Sequence, residues 1–339
     1  MRKQLLKWAF VAVAAQALCT ACQRRPLEDG LTQAALIPVR IDWSVSGVPV
    51  EQMHRASVIL FPEGGGIPLE YRLETNLTYR LIEVPVGVYS VLVFNETKEP
   101  DDWGSLVMTG TDRYETFAAE GLPVAARGFY TRSEELPLIQ NPEPLAAWSL
   151  DRFEVTREMA VHTNASRNLE EIVPELTVVR PLPRIEHLVV TAQVVNLSSS
   201  MQATGTLEGM ASGVYLVSGR KVPVPAAHAF VLNSRVYADN GKDGTTSRTF
   251  SVFGRLPVST ARYGLNLDFL LNDGTLHPRE AFDVTNRITA VPGRVVPTHA
   301  IDVGFGMSGG DRLIDLGSMD VASGGVTVDD WEEVIIPLK

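Results

Sequence analysis

From Pro38 to Ser46 the apolar residues Val39, Ile41, Trp43 and Val45 alternate without error with polar Arg40, Asp42, Ser44 and Ser46. Successive side chains of a strand point to opposite faces, so a period of two marks a strand with one face in a core and one in water. The pattern returns along the whole chain, whereas apolar residues at helical spacing are scarce. Ala56 to Phe61 reads as a strand closed by Pro62 and the turn Glu63-Gly64-Gly65-Gly66, and Leu69 to Glu74 alternates back as its hairpin partner. Pro85 and Gly87 mark a turn between two further strands. The second of these is apolar on both faces from Val91 to Phe94, which places it in the centre of a sheet. The expected fold class is all-β.

A similar layout appears about 170 residues later. Phe250 to Pro257 leads through a turn to Tyr263-Gly264-Leu265-Asn266-Leu267-Asp268 and ends in Asn272-Asp273-Gly274. Two copies of one sandwich topology would produce such a repetition. The joint is expected near Arg180-Pro181-Leu182-Pro183, because prolines cannot serve a central ladder. This predicts an N-terminal β-sandwich over 35–182 and a C-terminal one over 183–339. Arg157 to Ile172 is polar and breaks the strand pattern, which predicts a loop or a short helix there.

Both cysteines, Cys19 and Cys22, lie near the start. Ahead of them Arg2, Lys3 and Lys7 precede the apolar run Trp8 to Ala15, the charged and apolar regions of a secretory signal. That run is shorter than the roughly 20 apolar residues a membrane-spanning helix needs. Thr20 and Ala21 before Cys22 resemble a bacterial lipobox, with Cys19 in the place where leucine is usual. The expectation is a signal peptide over 1–21, cleavage between Ala21 and Cys22, diacylglycerol and palmitate on Cys22, and a lipidated tether over 22–34. Each buried lipid methylene contributes about 0.8 kcal/mol, so two or three acyl chains would hold the chain to a membrane. An ordinary secreted protein with an incidental cysteine is the alternative. The formal net charge of −10 becomes more negative once the three basic signal residues leave, which argues against nucleic acid as a partner.

Motifs for catalysis or metal binding are weak. Gly304-Phe305-Gly306-Met307-Ser308-Gly309 has the spacing of a dinucleotide fingerprint but starts no convincing helix, and reads as a surface loop. Asp239-Asn240-Gly241-Lys242-Asp243-Gly244 is similar to a calcium loop, yet Gly241 takes a ligand position and Phe250 stands where the bidentate glutamate belongs, so a hairpin turn is expected. His54, His162, His187, His228, His277 and His299 lack the i, i+4 pairing of a zinc helix. Asp101-Asp102, Glu134-Glu135 and Glu170-Glu171 read as solvated acidic pairs. No catalytic residue, metal or cofactor is assigned, and the chain is read as not an enzyme.

The lipobox, Val84-Pro85-Val86-Gly87-Val88-Tyr89, the segment Gly205-Thr206-Leu207-Glu208-Gly209-Met210-Ala211-Ser212-Gly213 and the tail Gly324 to Trp331 together resemble the fimbrillin superfamily of Bacteroidetes, near its fimbrial anchor branch. The resemblance implies two tandem transthyretin-like β-sandwich domains on an outer-membrane lipoprotein, acting as a pilus anchor or accessory subunit with other fimbrial subunits as partners. It implies no cofactor. It also implies that stalk subunits are trimmed after an arginine, and Arg24, Arg25, Arg40 and Arg132 are available.

In the tail, Val326 and Val328 share one face; after Asp330 the phase slips, and Val334, Ile336 and Leu338 share another. An extra residue at Asp329-Asp330-Trp331 would act as a bulge. Such a strand would complete another subunit's groove or close its own domain's sheet. A surface glycan or host ligand is the alternative partner, with Trp103 and Trp148 as candidate stacking platforms.

Overall fold

The computed structural model describes residues 34–97, 104–124, 136–165, 179–258, 261–306 and 312–317. Its strands begin with β1 (Ala34–Arg40), β2 (Ala56–Pro62), β3 (Leu69–Leu73), β4 (Tyr79–Pro85), β5 (Gly87–Phe94), β6 (Leu106–Thr109) and β7 (Ala118–Gly121). Next come β8 (Leu138–Ile139), β9 (Ala146–Val155), the helix α1 (Arg157–Ala165) and β10 (Leu182–Pro183). The chain continues through β11 (Glu186–Val195), β12 (Ser200–Ala211), β13 (Gly213–Tyr215), β14 (Pro225–Val231), β15 (Ser234–Tyr237) and β16 (Gly244–Val252). It closes with β17 (Gly264–Leu271), β18 (Glu280–Asp283), β19 (Thr289–Val291), β20 (Thr298–Val303) and β21 (Ile314–Asp315). The fold is all-β, as the alternation requires. The described residues divide into two compact units. Unit 1 takes those up to Gly121 with Pro142–Ile185 and Gly213–Val222, and unit 2 takes Leu122–Asn141, Glu186–Ser212 and those from Pro223 onward.

In unit 1 the ladder β1-β4 stacks on a five-stranded sheet of order β10-β9-β5-β2-β3. Ile37, Val39, Ile82 and Val84 meet Val58, Leu60, Val91 and Val93 in one core. Strand β5 is the middle strand, and Val91, Leu92, Val93 and Phe94 are all completely enclosed. Its second face is closed by Phe117, whose ring centroid lies 5.4 Å from that of Phe94 and 6.2 Å from that of Phe61. A third sheet has the order β13-β7-β6.

One expectation changes in detail. The alternation after Pro38 stays a strand only to Arg40: Asp42 accepts a hydrogen bond from the Ser44 amide and turns Trp43–Val45 into a 3-10 helix. The turn at Pro85 and Gly87 joins two strands of different sheets. It carries the chain from the β1-β4 ladder into the centre of the other sheet, since β4 pairs with β1 while β5 pairs with β2 and β9. The polar stretch after Thr156 begins as the helix α1, which packs on β1, with Ala160 in the core and Thr163 accepting from the Leu36 amide.

Unit 2 stacks a sheet of order β15-β16-β11-β20-β19, with β21 beside β11, on a sheet of order β18-β17-β12-β14-β8. Leu188, Val190, Ala192 and Val194 face Leu207, Leu265, Leu267 and Phe269 across the core. The internal repetition is real at the level of topology. The run β9-β5-β2-β3 in unit 1 has the strand order of β18-β17-β12-β14 in unit 2, and β1-β4 corresponds to β11-β16. In both, a proline-containing connection moves the chain from one sheet to the other.

Candidate functional site

The residues singled out for lipid attachment and cleavage, Ala21 and Cys22, lie outside the described residues. So do Val326, Val328, Trp331, Val334, Ile336 and Leu338 of the proposed assembly strand, and Trp103 and the three acidic pairs. Trp148 is half-buried and packs against the core of unit 1, which leaves it a packing residue.

The motifs set aside as structural have structural explanations. Asn240 Oδ1 accepts from the amides of Lys242 and Asp243, and Asn240 Nδ2 donates to Asp243 Oδ2, in the turn joining β15 and β16. The other oxygen of Asp243 accepts from the Asn196 amide at 2.8 Å, and that bond holds its carboxyl below the usual range. These carboxylate oxygens hold the turn. Among the described residues no group of three metal-ligating side chains occurs. Gly304 follows β20 at φ +80°, and a Cβ there would stand 2.3 Å from the Gln193 carbonyl, so this glycine serves a close approach of two chain segments.

The glycines of the segment 205–213 do comparable work. At Gly205 a Cβ would strike the Phe230 ring at 2.5 Å, and that ring stacks on Phe250 at 4.5 Å. Gly209 sits at φ +91° where the ladder of β12 and β14 shifts register between Glu208 and Met210, a bulge that re-aims the strand. Gly213 lets β13 lie against β7, with only 2.5 Å between a Cβ and the Ala119 carbonyl.

The bulge borders an open groove in unit 2 with a volume of about 750 Å³. Cross-strand register builds it: Glu208 on β12 is opposite Gly264 on β17, which is opposite Asp283 on β18. Two residues further along each strand, Thr206, Asn266 and Ala281 form the next row on the same face. Leu207, Leu265 and Phe282, which alternate with these, face the core. Gly264 leaves a gap in the sheet surface, and Glu208 Oε2 lies 3.3 Å from where its Cβ would be. Asn266 Nδ2 donates to Glu208 Oε1 at 3.1 Å and to Thr206 Oγ1 at 3.4 Å, which fixes the carboxylate and leaves the amide oxygen as an acceptor. Asp283 accepts from the Thr285 hydroxyl and amide, and Arg262 and Arg287 add attraction; together these hold its carboxyl below the usual range. Arg262, Leu256 and Pro225 complete the walls. Sequence reading passed over this site because its residues alternate like any strand; the signal was the glycine at Gly264, flanked in space by two acids.

The model of the family described as domain of unknown function (DUF5119) matches residues 21–230. No curated protein matches the chain in sequence. Among solved structures, a Bacteroides ovatus protein described as a candidate adhesin is similar at 18% identity and a TM-score of 0.56, over 88% of this chain and 98% of that one. The fimbrial anchor protein Mfa2 from Porphyromonas gingivalis is similar at 11% identity and a TM-score of 0.43, over 80% of this chain and 90% of that one.

Proposed function

The chain belongs to the DUF5119 family, and from that membership and its fold we propose that it is an outer-membrane lipoprotein serving as an anchor or accessory structural subunit of a fimbrium. The observation that carries this reading is the architecture: the fold spans 98% of the length of a candidate adhesin, so the two share it almost end to end. The resemblance to the fimbrillin superfamily holds at the level of fold. Cys22, behind its charged and apolar leader, is the point of membrane attachment in this reading. The alternating tail from Val326 to Leu338 is the segment through which it joins other subunits, with main-chain hydrogen bonds giving affinity and side-chain pockets giving register. Its work is to hold other molecules, without catalysis.

Mass spectrometry of the N-terminus of the native protein tests the anchor. An acylated start at Cys22 supports it, and a start after Arg24, Arg25, Arg40 or Arg132 replaces it with a trimmed stalk subunit. Deleting Val326 to Lys339 tests the joint: loss of co-assembly by a folded protein is expected, and normal assembly would remove the tail from the mechanism.

A further inference from the structure

We propose that the groove over Gly264 is a binding site for a neutral saccharide. Its volume of about 750 Å³ falls within the roughly 300–1,000 Å³ of small-molecule sites. It is built on regular strands, which place its polar groups by register, a firmer scaffold than loops provide.

The polar groups decide the class of ligand. Glu208, Asn266 and Asp283 line the groove and bring acceptors to it, beyond the Glu208 oxygen that Asn266 Nδ2 already meets, and Arg262 lines it as a donor. A hydroxyl both donates and accepts, so vicinal hydroxyls match a surface that alternates acceptors with a donor fork. An anionic ligand would meet Glu208 and Asp283. A cation would compete at Asp283 with the attraction of Arg262 and Arg287, so the groove offers it no surplus of negative charge. A metal ion lacks a third ligating side chain among the described residues. Leu256, Pro225 and Ala261 supply apolar wall for the C–H faces of a sugar ring. This site is separate in sequence from the tail proposed for assembly, so either idea can fail without the other.

The complete mature chain is applied to an array of neutral di- to tetrasaccharides printed beside sialylated and chitosan oligosaccharides, and the strongest neutral binder is titrated by calorimetry. Saturable binding of a neutral saccharide is expected. Asn266→Ala should weaken it about tenfold through the lost acceptor and the released Glu208. Ala281→Trp, at an exposed position on β18, should block the groove without entering the core. Circular dichroism and melting of both variants establish that they are folded, and either folded variant suffices for the test. The proposal is overturned by the absence of saturable neutral binding, by stronger binding of the sialylated or chitosan probes, or by unchanged binding in a folded variant.

Discussion

Tyr89 donates its hydroxyl to the carbonyl of Pro85 at 2.9 Å, from a ring only 5% exposed. The bond closes the corner at which the chain leaves one sheet of unit 1 for the other, and Gly87 leaves room for the ring, its Cβ position being 3.2 Å from the Tyr89 oxygen. Tyr89→Phe keeps the packing and strands one carbonyl. It should cost about 1 kcal/mol, read as a lower urea midpoint at unchanged slope.

Gly209 and Gly264 both border the groove and answer to different constraints. Gly209 holds φ +91°, and a Cβ would stand 2.1 Å from the Arg262 carbonyl, so Gly209→Ala should cost on the order of 2–4 kcal/mol. Gly264→Ala meets only the flexible end of Glu208 at 3.3 Å and should change stability by less than about 0.5 kcal/mol. Paired thermal melts of the two variants distinguish a backbone requirement from an empty floor.

His228 is wholly enclosed on β14 beside Phe253, and neither ring nitrogen makes a well-formed hydrogen bond. Burial, offset in part by the Ala211 backbone, lowers its pKa to about 4. The unfolded chain takes up this proton near pH 6.5, so between there and pH 4 protons favour unfolding. Stability present above pH 6.5 should fall by about 3 kcal/mol as pH drops to 4. His228→Leu should reduce the slope of that interval in a series of urea titrations, leaving the contribution of His187, whose burial also lowers its pKa. Loss below pH 3.8 should persist in the variant, because Asp42, Asp243, Asp273 and Asp283 have lowered pKa values and lose their stabilising contribution there. An unaltered curve between pH 6.5 and 4 would clear His228 of the effect.

Glu280 is buried at the start of β18 and receives Arg312 Nη2 at 2.8 Å, with His277 at 3.8 Å. Arg312→Ala leaves a buried carboxylate short of its cation and should destabilise unit 2 by about 1–3 kcal/mol, less than a fully buried pair because Arg312 itself is exposed. Adding Glu280→Gln in that background should recover part of the loss, and a double-mutant cycle on melting measures it.

The strands were legible where side chains alternate, because one buried face imposes a period of two whatever the partner. Val91 to Phe94 announced a central strand for the same reason, having no wet face. The extent of the first strand was not legible, because Asp42 caps a turn through a hydrogen bond that leaves the alternation of Trp43 and Val45 intact. Pairing across distance was hidden too. Nothing local to Val84-Pro85-Val86-Gly87 tells a hairpin from a change of sheet, and that choice is made by the partners of β4 and β5. The groove escaped for a like reason: Glu208, Gly264 and Asp283 are neighbours only through register.

The ribbon of β6 and β7 is finished by β13, which the ribosome makes almost a hundred residues later, while β8 is made early and held for β14. Maturation therefore cannot proceed as one finished bead followed by a second. Unit 1 waits until Val222 has been synthesised, roughly two-thirds of the way along the message, so a nascent chain stalled near residue 185 would display an unsatisfied ribbon edge and invite chaperones. Severing the polypeptide after Ile185 would yield two fragments, each deprived of a strand that the other carries.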